Sequence, residues 1–231
     1  TLSLDGWWAC EKTAFAVDEI PAVFTNAIPV PGLWDMADQD LGGWDGSALW
    51  YKRTVTLAEA PVHAVLRINK GGYGKYLYVN GRYVGAHQYN HTAAEIDITP
   101  YLQAGDNEIV IKIGFAGSQP QGEAHNGFDG EKGEYQPGLY DSVSLILNNG
   151  ATVGKVQSAP DLEDGSLKIT AQVENTGDQT LDTPVKAEIL DRDGAVKGSK
   201  TLAVTVPAGD SAPVDFGKID ISGFSPDTTW S

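Results

Sequence analysis

At 231 residues, 41% of them hydrophobic, the chain has room for one large domain or two ordinary ones with proper cores. Its net charge of −15 argues against a nucleic-acid partner, because a phosphate-binding face needs clustered Lys and Arg; the acidic excess suits solubility. A single cysteine, Cys10, excludes an intrachain disulfide, the scattered His63, His87, His91 and His125 give no zinc-ligand spacing, and no apolar stretch is long enough to span a bilayer.

The chain opens at Thr1 in sequence that already reads as domain, with no signal peptide in view. Up to residue 50 it is rich in Trp, Pro and Gly, including Leu4-Asp5-Gly6-Trp7 and Val30-Pro31-Gly32-Leu33-Trp34-Asp35. Strands are then predicted near Tyr51–Leu57, Val62–Ile68, Lys75–Asn80 and Arg82–His87. Asn80-Gly81 between the last two is a two-residue hairpin signal, since both positions need φ > 0. Further strands fall at Glu95–Ile98, Glu108–Ile113 and Ser142–Leu147, with turns at Pro100 and Gly105-Asp106-Asn107. Ile109, Ile111 and Ile113 alternate with Val110 and Lys112, as in a strand buried mainly on one face.

Composition shifts after Asn148-Asn149-Gly150. Leu167, Ile169, Ala171 and Val173 alternate with polar residues. So do Val185, Ala187 and Ile189, then Leu202, Val204 and Val206, then Val214 and Phe216. Turn signals stand at Asp164-Gly165, Asn175-Thr176-Gly177 and Asp193-Gly194. The expected fold class is all-β: a jelly-roll sandwich over 1–150, followed by an immunoglobulin-like β-sandwich over 151–231 that lacks an internal Cys pair.

Several phrases occur here in a fixed order: Val79-Asn80-Gly81, Val84-Gly85, Asp97-Ile98-Thr99, Tyr101-Leu102, Gly105 and Asn107. With Leu4-Asp5-Gly6-Trp7, the Val-Pro-Gly-x-Trp phrase at 30–34 and Trp50-Tyr51-Lys52-Arg53, they resemble the N-terminal, galactose-binding-like domain of glycoside hydrolase family 2. That family contains β-galactosidases, β-glucuronidases and β-mannosidases. The resemblance covers roughly residues 2–147. It implies an immunoglobulin-like domain next, then a catalytic (β/α)8 barrel carrying two glutamates; the chain ends at Thr229-Trp230-Ser231, where the family's phrase leading to the barrel begins. No carboxylate here carries over as catalytic. The implied partners are that barrel, in the same parent chain, and a glycan. A secreted or periplasmic location is expected.

Candidate site residues follow. Gly138-Leu139-Tyr140-Asp141-Ser142-Val143 matches a family Gly-Ile-Tyr-Arg-Asp-Val phrase whose loop reaches the barrel rim, with Asp141 for the Arg and Ser142 for the Asp. Tyr140 and Asp141 therefore face the barrel, or cap the core and meet solvent respectively. Trp34, Trp44 and Trp50 lie near the start of the first sandwich, where an exposed indole would stack on a sugar. Trp44 beside Asp45, in a Gly-rich loop, serves sugar or interdomain contact, or simple packing; Trp50 begins a strand and belongs to the core. Tyr89-Asn90-His91 forms a polar loop after the hairpin. The oxygen-rich loop from His125 to Glu134, with Asn126, Asp129 and Glu134, is either a polar loop or a structural calcium site, and no other cofactor is expected. Two further readings stand beside the hydrolase: an autonomous carbohydrate-binding module and an adhesin-like structural pair.

Overall fold

The computed structural model describes residues 1–119 and 136–223. Among these residues it is all-β, with three single-turn 3-10 helices at Trp34–Met36, Thr99–Tyr101 and Ala116–Ser118. It divides into two units, Thr1–Leu147 and Asn148–Ser231.

The first unit contains β1 (Leu2–Ser3), β2 (Gly6–Ala14), β3 (Asn26–Val30), β4 (Gly32–Leu33), β5 (Ser47–Leu57) and β6 (His63–Ile68). It continues with β7 (Lys75–Val79), β8 (Arg82–His87), β9 (Ala94–Asp97), β10 (Gly105–Ile113), β11 (Gly138–Leu139) and β12 (Val143–Asn148). A six-stranded sheet in the order β3-β2-β5-β10-β7-β8 and a four-stranded sheet in the order β1-β12-β6-β9 form the jelly-roll sandwich. Between them Trp8, Ile28, Leu49, Tyr51, Leu66, Ile68, Leu77, Ile109, Ile111 and Leu145 form one buried cluster, because alternate residues of each strand point inward. The hairpin forms as expected, with Asn80 at φ 49° and Gly81 at φ 74°. Asn80 also donates from Nδ2 to Tyr101 O at 2.9 Å, tying the turn to the Thr99–Tyr101 helix.

One expectation needs correction. Strand β10 is buried on both faces: Val110 is fully covered and Lys112 nearly so, like the three isoleucines. The segment around Phe15–Asp18 lies against its outer face, and Lys112 Nζ donates to Phe15 O and Val17 O, each at 2.8 Å. Trp50 is fully buried, as expected, tilted against Tyr78 with ring centroids 5.5 Å apart and donating from Nε1 to Thr13 Oγ1. The alternation rule alone cannot see a loop folded over a sheet's second face. Strands β2 and β3 also went unread, because Trp, Pro and Gly obscure their period.

The second unit contains β13 (Ala151–Asp161), β14 (Ser166–Asn175), β15 (Leu181–Leu190), β16 (Val196–Val206) and β17 (Ser211–Asp220). A three-stranded sheet β13-β14-β17 and a two-stranded sheet β15-β16 hold Ile169, Val173, Val185, Val206, Val214 and Phe216 between them. This is an immunoglobulin-like sandwich reduced to five strands among the described residues, against seven in a constant-type domain. Asn175 knots one end: buried, it donates from Nδ2 to Gln179 O and Val206 O and accepts from Gly177 N. Strand β13 was not anticipated. Its Val153 and Val156 are exposed, so it joins by backbone bonding to β14 and shows no apolar face.

Candidate functional site

Three distant stretches of the first unit meet at Gly138. Strand β4 pairs with β11, setting Leu33 opposite Gly138. Gly72 and Gly138 exchange both backbone bonds, at 3.0 and 2.9 Å. The approach is so close that a Cβ on Gly138, whose φ is +156°, would lie 2.4 Å from Gly32 O. Only glycine fits there.

Around this joint opens a cleft of about 320 Å³, lined by Leu33, Gly72, Tyr73, Asn90, His91, Gln136 and Tyr140. Asn90 is the hinge of its wall. It is buried, its carbonyl accepts from Gly71 N at 3.2 Å and from the Tyr140 hydroxyl at 3.0 Å, and its Oδ1 accepts from Gly74 N at 3.2 Å. The Tyr140 oxygen is also 3.1 Å from His91 Nδ1. A phenol has one proton, so with that proton on Asn90 O the imidazole is the donor to Tyr140. Burial, with Tyr73 and Asp141 nearby, pushes the Tyr140 phenol up to about 12, and it stays protonated at neutral pH. Beneath this wall the Lys75 amine, 0% exposed, donates to Gly71 O at 3.1 Å and to Tyr89 O at 2.5 Å.

Asn90, His91 and Tyr140, separate in the sequence, thus share one cleft. Tyr89 is exposed beside it, its ring edge-on to His87. Asp141 is turned to the Lys70 ammonium, 3.3 Å away, and accepts from Ser142 N at 2.8 Å; the Ser142 N–H first, then Lys70, hold its carboxyl below the usual range. Ser142 is occupied too, since its hydroxyl donates to Asp5 Oδ2 while Asp5 Oδ1 accepts from Val143 N, both at 2.9 Å. The Asp5 carboxylate therefore locks the start of β12.

The tryptophans fall elsewhere. Trp34 is buried and donates from Nε1 to Gly42 O at 2.9 Å. Trp44 is half-buried against the core and lines a second hollow with Trp34, Asp38, Leu41 and Gln136. Asp45 beside it is exposed. Among the described tryptophans, the one that stands in solvent is Trp7, 63% exposed. Asn126, Asp129 and Glu134 lie outside the described residues, and among the described ones no cluster of three or more His, Cys, Asp or Glu is placed to hold a metal. Sequence reasoning missed Leu33, Gly72, Tyr73 and Gln136. The one available signal was the run Gly71-Gly72-Tyr73-Gly74, which marks a close backbone approach.

Chemically the described lining offers two phenol rings, two amides and an imidazole. None of its described lining residues is a carboxylate or a strong base. Such a surface stacks against sugar C–H faces and hydrogen-bonds hydroxyls; among the described residues it has no pair of carboxyl groups for acid–base hydrolysis.

Comparison with known proteins agrees with the fold and its phrases. A beta-galactosidase of Thermoanaerobacter pseudethanolicus is 27% identical over 128 residues, 53% of this chain and 17% of that protein. A beta-galactosidase of Photobacterium profundum is 28% identical over 134 residues, 53% of this chain and 12% of that protein. Among solved structures, a glycosyl hydrolase family 2 member from Bacteroides cellulosilyticus has a TM-score of 0.74 at 18% identity, covering 95% of this chain and 31% of that one. The beta-D-mannosidase from Dictyoglomus thermophilum has a TM-score of 0.69 at 15% identity, again covering 95% and 31%. The chain thus spans less than a fifth of these curated relatives and about a third of the solved chains. The model of the sugar binding domain of the glycosyl hydrolases family 2 matches residues 2–147, and the chain belongs to that family.

Proposed function

We propose that the chain is the non-catalytic front part of a family 2 hydrolase of O-glycosidic bonds. Its first unit braces a catalytic barrel and lends the cleft around Asn90, His91 and Tyr140 to the rim of the barrel's pocket, where a glycan is held. One observation supports this reading: the sugar binding domain match over residues 2–147 coincides with a cleft whose described polar lining consists of phenol, amide and imidazole groups. Retaining glycosidases need two carboxyl groups about 5–5.5 Å apart, and inverting ones a wider pair. In the second hollow, Asp38 and Asp40 each accept a backbone N–H, from Ala27 and Gly42, and serve the turn there.

The test compares residues 1–231 alone with the same residues joined to the continuing reading frame, on aryl β-galactosides, β-glucuronides and β-mannosides. Turnover is expected only from the longer protein, and changing Tyr140 or His91 should raise its KM. Turnover by residues 1–231 that vanishes on changing one of their carboxylates would overturn the reading. Tight glycan binding by residues 1–231 alone would favour an autonomous binding module instead.

A further inference from the structure

We propose that Lys75 is the positioning residue of the cleft, its amine fixing two of the cleft walls against each other through the carbonyls of Gly71 and Tyr89. Lys75 opens β7, where alternation would set an apolar side chain beside Leu77 and Val79. It is instead a fully buried lysine, with no ion pair among the described residues. Its two acceptors, at 3.1 and 2.5 Å, each directly precede a cleft residue, Gly72 and Asn90. The walls have little slack. A Cβ on Gly72 would meet Asn90 Cγ at 3.2 Å, and one on Gly71 would meet Leu139 Cδ2 at 2.9 Å. One amine therefore sets the spacing of both walls, and a neutral apolar side chain there leaves two carbonyls without their donor.

Among the described residues, burial and not a charged neighbour dominates the environment of Lys75. Its cross-strand neighbour on β8 is His87 and on β10 Ile113. Around the cleft stand the phenols of Tyr73, Tyr89 and Tyr140 and the imidazole of His91, and at the far end of the 70–75 segment the Lys70–Asp141 pair is closed on itself. Burial lowers the Lys75 ammonium to about 8, and burial, then the Lys75 charge, lowers His87. Opening the walls to water restores the ordinary affinity of the amine for its proton. The closed cleft is therefore favoured increasingly as pH rises through 8.

The role of this wall in holding a glycan rests on the proposed function; the pinning itself is measured without sugar. In amide hydrogen exchange on residues 1–231 at pH 7, Lys75→Met should speed Gly71 and Gly74 about ten-fold, as expected for one lost hydrogen bond, while Val110 and Ile111 keep their protection. Unchanged Gly71 and Gly74 in a folded variant would overturn the proposal. The wild type gives a second reading. After correction for intrinsic rates, protection at both amides should rise several-fold from pH 7 to pH 9, a profile that a merely space-filling side chain does not produce. A flat profile overturns the proposal even where the variant fails to fold. Intact pinning with no sugar binding would sink the glycan role and leave Lys75 in its place.

Discussion

Lys112 and Asp18 form an ion pair of unequal partners: the ammonium is 2% exposed and the carboxylate 87%, at 3.0 Å. The lysine is also 4.6 Å from the centre of the Phe15 ring, 5.2 Å from that of Trp50 and 5.7 Å from that of Tyr76. Its charge is thus shared among two carbonyls, three ring faces and one solvated carboxylate. Most of its stabilisation comes from the buried partners, because an exposed carboxylate is screened by water.

Changing the two residues separately should show this asymmetry. Lys112→Met strands Phe15 O and Val17 O and should cost about 2–4 kcal/mol in urea unfolding. Asp18→Asn should cost no more than about 1 kcal/mol. Equal losses would mean that the exposed carboxylate, and not the carbonyls and rings, holds the lysine.

Trp50 and Trp44 differ in the same way. Trp50→Ala empties a fully buried site and should cost about 3–5 kcal/mol. Trp44→Ala, at a half-buried position, should cost about 1–2 kcal/mol. Binding of methyl β-galactoside to residues 1–231 should be millimolar or weaker, and Trp44→Ala should reduce it if the second hollow takes part. Calorimetry and a melting curve on both variants separate the two effects.

Stability should follow pH in a specific way. Lys75 is lowered from 10.5 to about 8 by burial, so above pH 8 the unfolded chain binds more protons than the folded one and stability rises with pH. Cys10 is raised from 9.0 to about 12, chiefly by burial and then by Asp38 and Glu11, so between those values the folded chain holds more protons and stability falls with pH. Of these two groups only Lys75 acts between about pH 8 and pH 9. The rise there should be present in the wild type and absent from Lys75→Met.

Cys10 is fully buried as well as poorly acidic. Iodoacetamide at pH 8 should leave it unmodified in the folded protein and label it at the rate of unfolding, because the thiolate is the nucleophile. Rapid labelling without loss of structure would show that β2 opens locally.

The sequence was legible where a strand has one buried face and a turn has its own chemistry. Leu77 and Val79, the Asn80-Gly81 turn and the alternating residues of β14 and β17 are of this kind, and the family phrases lie on them. It was illegible where burial comes from a distant segment. Lys112 reads as an outward residue because nothing local announces the Phe15–Asp18 segment above it. The cleft was half legible: Asn90, His91 and Tyr140 stood out as polar groups in loops, but only the Gly72–Gly138 bridge shows that they share a surface. Lys75 gave no signal, since a lysine beginning a strand is ordinarily solvated.

The joint at Gly138 also bears on how the cleft arises in time. Its strands come from the thirties, the seventies and the end of the first unit, so it cannot close before β11 is available to meet both β4 and Gly72. Sequence-distant pairings are slow because loop-closure entropy is spent before contacts are gained. The β7–β8 hairpin, whose partners are adjacent in the chain, can form early and alone. In refolding, protection of the hairpin amides should therefore precede that of Gly72 and Gly138, and a substitution at Gly138 should slow the last step while leaving the hairpin's rate untouched.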